Sequence, residues 1–314
     1  MEMRRIGSLE VSVVGLGCNN FGMRIDEAQT VAVVNAALDA GITYFDNADI
    51  YGGGKSEEFM GRALKTRRDE AIIATKFGSA PRVPEGRKPG SADWVREACD
   101  RSLAALGVDH IDHLQMHQPD PTTPIEETLG ALDELVRSGK VREVGCSNFT
   151  SAMLSEADAE SRTRGLARFA SVQNYYSLLT RSADSDGVLK ACAQHDVAFV
   201  PFFPLESGLL SGKYSLGQPL PERSRLQAWG ERAGRFINDE RLTTVAALSA
   251  CAASHGHTIL ELAMSWLAAN HQIATIIAGA TTAEQVVANA AAASWVMSPA
   301  DLAEIDSIVA GSGA

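Results

Sequence analysis

This 314-residue sequence is short of cations: 28 Lys and Arg stand against 39 Asp and Glu, a formal net charge of −11. Phosphate backbones are held mainly by Lys and Arg and repelled by an acidic surface, so nucleic acid is excluded as the natural partner and a small molecule is favoured. No Lys or Arg at all follows Arg241. No apolar run approaches the roughly 20 residues that a spanning helix needs. The opening MEMRRIGSLEVSVVGLG is interrupted by Glu10 and Ser12, leaving an apolar part too short for an export signal. The expectation is a protein neither exported nor embedded. Five cysteines, Cys18, Cys99, Cys146, Cys192 and Cys251, form no CxxC pair, so nothing in their spacing suggests zinc or a redox couple. Reduced thiols in a cytoplasm fit them. A Pro- or Ser-rich linker is missing too, and residues 1–314 read as one domain.

What the sequence does contain is alternation. Short apolar runs at 13–18, 43–48, 71–77, 111–117, 141–148, 169–175, 198–203 and 274–279 predict eight strands. They are nearly continuous in Val, Ile and Ala, the pattern of strands buried on both faces of a parallel sheet. Helical periodicity separates them. Over 26–40, Asp26 and Gln29 form a capping pair, Val31, Val34 and Leu38 share a face, and Gly41 stops the helix. Over 124–138, Leu129, Leu132 and Val136 line one side and Gly139 ends it. Eight strand–helix units in this length predict a closed α/β barrel, the (β/α)8 or TIM barrel with parallel strands. A doubly wound dinucleotide fold would need GxGxxG after the first strand; GLGCNNFG places Gly15, Gly17 and Gly22 at the wrong spacing. The stretches 80–92 and 214–238 read as long barrel loops.

In such a barrel the chemistry sits at the carboxyl ends of the strands. There the sequence places Asp46 and Tyr51 after strand two, Lys76 at the end of strand three, His117 after strand four, and Ser147 and Asn148 after strand five. Taken singly, Lys76 could snorkel, His117 could satisfy a carbonyl, and Ser147 and Asn148 could cap a helix. Together, an Asp, a Tyr, a Lys and a His delivered to one rim are hard to explain by packing.

The motifs GITYFDNADIYGGGKSEEFMGRAL, TKFG, LQMHQPD, VREVGCSNF, VQNYYSLL, PFFPLESGLLSGKY and AGATTAEQVVANA, in this order, resemble those of the aldo-keto reductases along essentially the whole chain. The resemblance implies a TIM barrel with an N-terminal β-hairpin and reduction of aldehydes, ketones or sugars by hydride transfer. It implies a catalytic tetrad of Asp46, Tyr51, Lys76 and His117, with Tyr51 as proton donor. A free phenol has a pKa of about 10, and an adjacent cation, Lys76, favours phenolate. Asp46 keeps that lysine charged and aimed, His117 orients the carbonyl, and the catalytic core needs no metal. Asn47 stands where the family often has Thr, and Asp49 is expected to serve the turn.

The same resemblance implies a nicotinamide site: Gly17, Cys18, Asn19 and Asp46 at the inner end, Ser147, Asn148 and Gln173 on the carboxamide, and Phe202 stacked on the ring where Tyr is common. Pro204, Leu205, Ser207, Gly208 and Leu209 would line the pyrophosphate; Glu206, where a small residue is usual, is expected to turn to solvent. Gly279, Thr281, Gln285 and Asn289 fall at the adenosine end. NADP(H) is the family default, yet no cation stands at 279, 281 or 285. What remains there is a helix amino terminus with a Thr282–Gln285 capping box, partly opposed by Glu284. NAD(H) use is therefore expected beside NADP(H), unless Arg223, Arg225, Arg232 or Arg235 compensates from the 214–238 loop, which resembles a segment folding over the cofactor. Asn20, Phe21, Tyr51, His117 and the 118–123 loop would line an open substrate pocket. Two other readings stand beside the reductase: a cofactor-binding regulatory module like the ion-channel beta subunits, and a barrel hydrolase or isomerase using Asp46 and His117. Neither nucleic acid nor membrane is expected as a partner, and the sequence leaves the oligomeric state open.

Overall fold

Eight parallel strands close into a barrel in the computed structural model, which describes residues 1–222 and 224–311. A two-stranded antiparallel hairpin, β1 (Met3–Ile6) and β2 (Leu9–Ser12), comes first. The barrel strands follow as β3 (Val14–Gly17), β4 (Tyr44–Asp46), β5 (Ile72–Phe77), β6 (Ile111–Met116), β7 (Val141–Ser147), β8 (Ser171–Tyr175), β9 (Ala198–Phe202) and β10 (Ile276–Gly279), each beside its predecessor, with β10 returning to β3. All eight predicted strands are present, shortened by a residue or more at most ends. The helices are α1 (Glu27–Asp39), α2 (Lys55–Leu64), α3 (Ala92–Leu106), α4 (Ile125–Arg137), α5 (Ser151–Arg164), α6 (Ser182–Ser185), α7 (Val188–His195), α8 (Arg225–Trp229), α9 (Asp239–Ser254), α10 (Ile259–Ala268), α11 (Ala283–Ala291) and α12 (Pro299–Gly311).

The local signals act as read. Gln29 N–H donates to Asp26 Oδ1 at 2.9 Å while Asp26 N–H donates to Gln29 Oε1 at 3.1 Å, closing the box that starts α1. Leu129 and Leu132 of α4 are fully buried against the barrel. Inside, the hairpin plugs the amino-terminal end: Ile6, Leu9 and Val11 pack with Tyr44, Ala74, Val200 and Ile277. With one end filled by apolar side chains, polar strand ends gather at the other. Register aligns Gly17 with Asp46, Lys76 with Gln115, and Ser147 with Gln173. The loop 80–92 holds one 3₁₀ turn, Ala80–Arg82, whereas 214–238 contains α8 and a second turn, Gly230–Arg235. Among the described residues no helix is long and apolar enough to cross a membrane.

Gly61 fixes how closely α2 approaches α3. A Cβ there would stand 2.0 Å from the carbonyl oxygen of Leu106 and 2.6 Å from its carbon, backbone that cannot swing aside. Gly61→Ala is expected to cost about 1–3 kcal/mol as an overpacking change. Urea unfolding measures it, and an unchanged midpoint would mean that the helices do not touch at this point.

Candidate active site

The inner end of the site is built around one ammonium. Lys76 on β5 is fully buried, and its Nζ donates to both carboxylate oxygens of Asp46, at 2.8 and 2.7 Å, and to the Asn47 carbonyl at 2.8 Å. Asp46 also accepts from Gln173 Nε2 at 2.8 Å and Gln115 Nε2 at 3.4 Å. Burial pulls the Lys76 ammonium down, but the Asp46 charge outweighs it with help from Tyr51, and the net position lies above the usual lysine range. Lys76 stays charged.

Tyr51 follows β4 in a turn whose three glycines, Gly52 to Gly54, all have positive φ, which lets the chain double back so tightly. Its ring lies 5.3 Å from Lys76 Nζ and meets the His117 imidazole edge-on at 6.1 Å. Burial is the largest influence on the phenol and raises it above the usual range; Lys76 pulls it back, Asp46 pushes it up. Lys76 thus favours the phenolate as expected, but burial weighs more and the net direction is upward. His117 is pushed down to about 3 by burial and then by the Lys76 charge. It is neutral, and its Nδ1 is buried with no hydrogen-bond partner.

A cavity of about 670 Å³ runs outward from these groups, within the range of small-molecule and cofactor sites. Its lining includes Gly17, Asn19, Asn20, Asp46, Tyr51, His117, Ser147, Asn148, Gln173, Phe202, Pro204, Leu205, Ser207, Gly208, Gly279, Thr281, Gln285 and Asn289, all predicted. Four predicted residues are absent from it, the fully buried Lys76 among them. Cys18, just after β3, points away, and its Sγ lies 3.9 Å from Met60 Sδ in the shell. Phe21 and Leu209 are fully buried in the hydrophobic core, where their apolar bulk is of more use than against a polar ligand. Gln173 lines the cavity, though its amide nitrogen is committed to Asp46.

Glu206 corrects another expectation. It is fully buried, not solvent-facing: Arg241 Nη2 lies 3.0 Å from its carboxylate, and Tyr175 and Ser177 both donate hydroxyl bonds to it. Tyr175 in turn stacks on Phe202 at 5.6 Å and 19° between planes. Phe203, Glu206 and Ser207 all have positive φ, a strain of about 1–3 kcal/mol each that surrounding contacts must hold. The buried carboxylate supplies that hold. Asp49, assigned to the turn, is also buried. At the outer end, Thr282 accepts from Gln285 N–H at 3.3 Å, but the Gln285 side chain accepts from Thr281 N–H at 2.8 Å, so the expected box is displaced by one residue.

Of the cations at the cavity, Arg225 was among the arginines expected to compensate, whereas Arg24 and Lys213 were missed from the sequence. Arg24, Lys213 and Arg225 line the cavity, with Gln118 and Phe203. Arg225, at the start of α8, donates to Asn20 Oδ1 at 3.1 Å, and a Cβ placed on Gly279 would stand 3.7 Å from its guanidinium. Burial and then the charge of Arg24 lower both Lys213 and Arg225 from their usual ranges, with each other's charge adding for Lys213. Of the other arginines expected to compensate, Arg223 and the side chains of Arg232 and Arg235 lie outside the described residues.

These features fit a nicotinamide dinucleotide. The cavity offers a ring face at Phe202, side-chain amides, cations for phosphate, and a buried Ser207 hydroxyl without a partner. Comparison with known sequences agrees: the profile of the "Aldo/keto reductase family" matches residues 13–310. The chain is similar to the "L-glyceraldehyde 3-phosphate reductase" of Escherichia coli O157:H7, 33% identical over 99% of this chain and 93% of that one. It is similar to an aldo-keto reductase of Schizosaccharomyces pombe named with NADP(+), 32% identical over 96% and 89%. It is also similar to a "Probable voltage-gated potassium channel subunit beta" of Oryza sativa subsp. japonica, 31% identical over 92% and 90%.

Beside the site, burial and then the Glu57 charge raise the Asp49 carboxyl to about 7, against about 3.9 in an unfolded chain. The folded state therefore binds more protons between pH 4 and 7, and the carboxyl's contribution to stability is lost as pH rises through that window. Asp49→Asn is expected to stabilise the protein at pH 8, by about 1–4 kcal/mol, and to have little effect at pH 4. Urea unfolding at the two pH values checks the sign; equal effects at both would show that Asp49 ionises normally.

Proposed function

As this chain belongs to the aldo/keto reductase family, an oxidoreductase family of carbonyl compounds, we propose that it reduces small aldehydes or ketones, sugars among them, to alcohols with a reduced nicotinamide cofactor. The observation that carries the reading is the Lys76 ammonium, locked to Asp46 and facing the Tyr51 ring beside a neutral His117. When bound, the cofactor supplies the hydride.

The chain's own residues do the rest. Tyr51 holds the proton that meets the developing alkoxide, and Lys76 stabilises the phenolate left behind. Asp46 keeps Lys76 from losing its charge in a buried site. Neutral His117 can donate or accept a hydrogen bond at the carbonyl without adding charge. Phe202 presents a ring face, held at its back by Tyr175, and Ser147, Asn148 and the free side of Gln173 face the carboxamide position. Segment 214–238 brings Ser224 and Arg225 to the cavity wall, which supports its role as a cover over the cofactor. Similarity to a channel beta subunit supports a second reading, a regulatory module that binds the cofactor. Turnover of a panel of aldehydes separates the two. The panel should include L-glyceraldehyde 3-phosphate, named for the E. coli relative.

Tyr51→Phe removes the proton donor and little else. It is expected to lower reduction by about 10²–10⁴-fold while the cofactor Kd, read from tryptophan quenching, stays within a factor of two or three. Near-normal turnover would sink the assignment.

The cofactor preference follows from where the cations are. NADP(H) is supported by the family and by a relative's name. Here the cation nearest Gly279 comes from the covering segment, not from the strand–helix unit that holds the adenosine end. A charge-assisted bond is worth about 1.5–3 kcal/mol, or roughly 10- to 100-fold. Both cofactors are therefore expected to serve, with kcat/KM for NADPH above NADH by less than about a thousandfold, and Arg225→Met is expected to narrow the gap. A larger preference, or one untouched by Arg225→Met, would refute this account of the outer site.

A further inference from the structure

Away from the cavity, α9 and α12 bring three metal-ligating side chains together. Cys251 and His255 stand four residues apart at the carboxyl end of α9, a spacing that puts both on one face. Glu304 of α12 meets them, and one ligand atom from each of the three lies within 4.8 Å of the others. His255 Nε2 is 3.2 Å from Glu304 Oε2, and the other ring nitrogen, Nδ1, faces Asp301 Oδ1 at 3.7 Å. We propose that Cys251, His255 and Glu304 form a zinc site, distinct from the reductase cavity, that fastens α12 to α9.

The donor set selects the metal. A thiolate, an imidazole and a carboxylate are the nitrogen, sulfur and oxygen ligands of zinc, whereas magnesium and calcium take oxygen alone. Three protein ligands leave the fourth tetrahedral position to solvent, which the half-exposed Glu304 and His255 can admit. Zinc bond lengths imply ligand–ligand separations of roughly 3.5 Å, and drawing the three atoms in from their present spread needs only small rotations of those two side chains. Asp301, its Oδ1 3.7 Å from Nδ1, stands where a small rotation would let it accept from Nδ1–H and so favour the tautomer that presents the Nε2 lone pair inward. Trp295 steadies the same face, its ring 5.4 Å from His255 and stacked at 4.3 Å on His257.

Charge points the same way. The ion pairs of Asp301 and Glu304 are both with His255, and no Lys or Arg follows Arg241 to neutralise them. Cys251 would bind as the thiolate, its proton displaced as the S–metal bond forms. The site also sits where α12 needs it. That helix has only Ile305 and Val309 buried, so a bond between metal and Glu304 adds materially to its docking.

Cobalt(II) is the probe, titrated into the chelator-stripped full chain. One equivalent should give the visible bands of a tetrahedral site together with a thiolate-to-cobalt charge-transfer band, and zinc should displace both. Cys251→Ser should abolish the charge-transfer band. Asp301→Asn should weaken zinc about 10- to 100-fold, as an outer partner does. Saturating zinc should raise the melting midpoint of the unaltered chain by a few degrees, and Glu304→Gln, a change on an exposed side chain that leaves folding untouched, should remove most of that rise. The proposal is overturned if no charge-transfer band develops, or if the band and the zinc-dependent rise both survive in Cys251→Ser.

Discussion

A positive charge sealed inside a barrel must be met on every side, and the active end of this protein is arranged around that requirement. Isolating an ammonium in a low dielectric costs several kcal/mol even after relaxation. Lys76 recovers it from two carboxylate oxygens and a backbone carbonyl, all at hydrogen-bonding distance. The carboxylate is then itself satisfied by two glutamine amides from β6 and β8. One charge thus fixes side chains on β4, β5, β6 and β8, and through Asp46 and Lys76 it sets where Tyr51 and His117 find their electrostatic surroundings. The tetrad is less a set of four independent contributions than a single neutralisation problem with one compact solution.

The second constraint is backbone strain. The loop after β9 takes left-handed conformations at Phe203, Glu206 and Ser207, residues that pay for the geometry where glycine would not. Glu206 answers with a buried carboxylate gripped by Arg241, Tyr175 and Ser177. Because Tyr175 also backs the Phe202 ring, the same carboxylate that holds the loop steadies the face presented to the cavity. Arg241 extends the connection further, donating to the Phe236 carbonyl at 3.1 Å and the Leu179 carbonyl at 3.2 Å. The end of segment 214–238 and the ring platform share one arginine.

Strand order, helix caps and the gathering of Asp46, Tyr51, Lys76 and His117 at one end were legible because each is written locally: β-branched runs, Asp26 three residues before Gln29, polar residues at the ends of apolar strands. Cys18 shows where local reading overreached, since the residue just after β3 is packed in the core against Met60 and not toward the cavity. Phe21 and Leu209 failed for a similar reason, being apolar residues in apolar company. Glu206 was illegible in principle. Its partners lie 29 and 31 residues back along the chain, and beyond it at Arg241, and they meet only when β8 and β9 pair. Of the cationic wall only Arg225 was foreseen, because a net charge of −11 says nothing about where the few cations gather. Arg24 lies in a turn before α1, Lys213 at the end of the motif PFFPLESGLLSGKY and Arg225 at the start of α8, and folding alone brings them to one cavity.

That wall has a consequence for how such a protein can change. Of the charges facing the outer cavity, Lys213 and Arg225 belong to the stretch after β9 and only Arg24 to the turn before α1, while Asp46, Lys76 and Gly279 belong to barrel strands. Exchange of Lys213 through α8 would therefore rewrite the electrostatics of the outer pocket without disturbing the neutralised core beneath. The outer charges and the neutralised core become separable inheritances, free to drift, or to be engineered, one at a time.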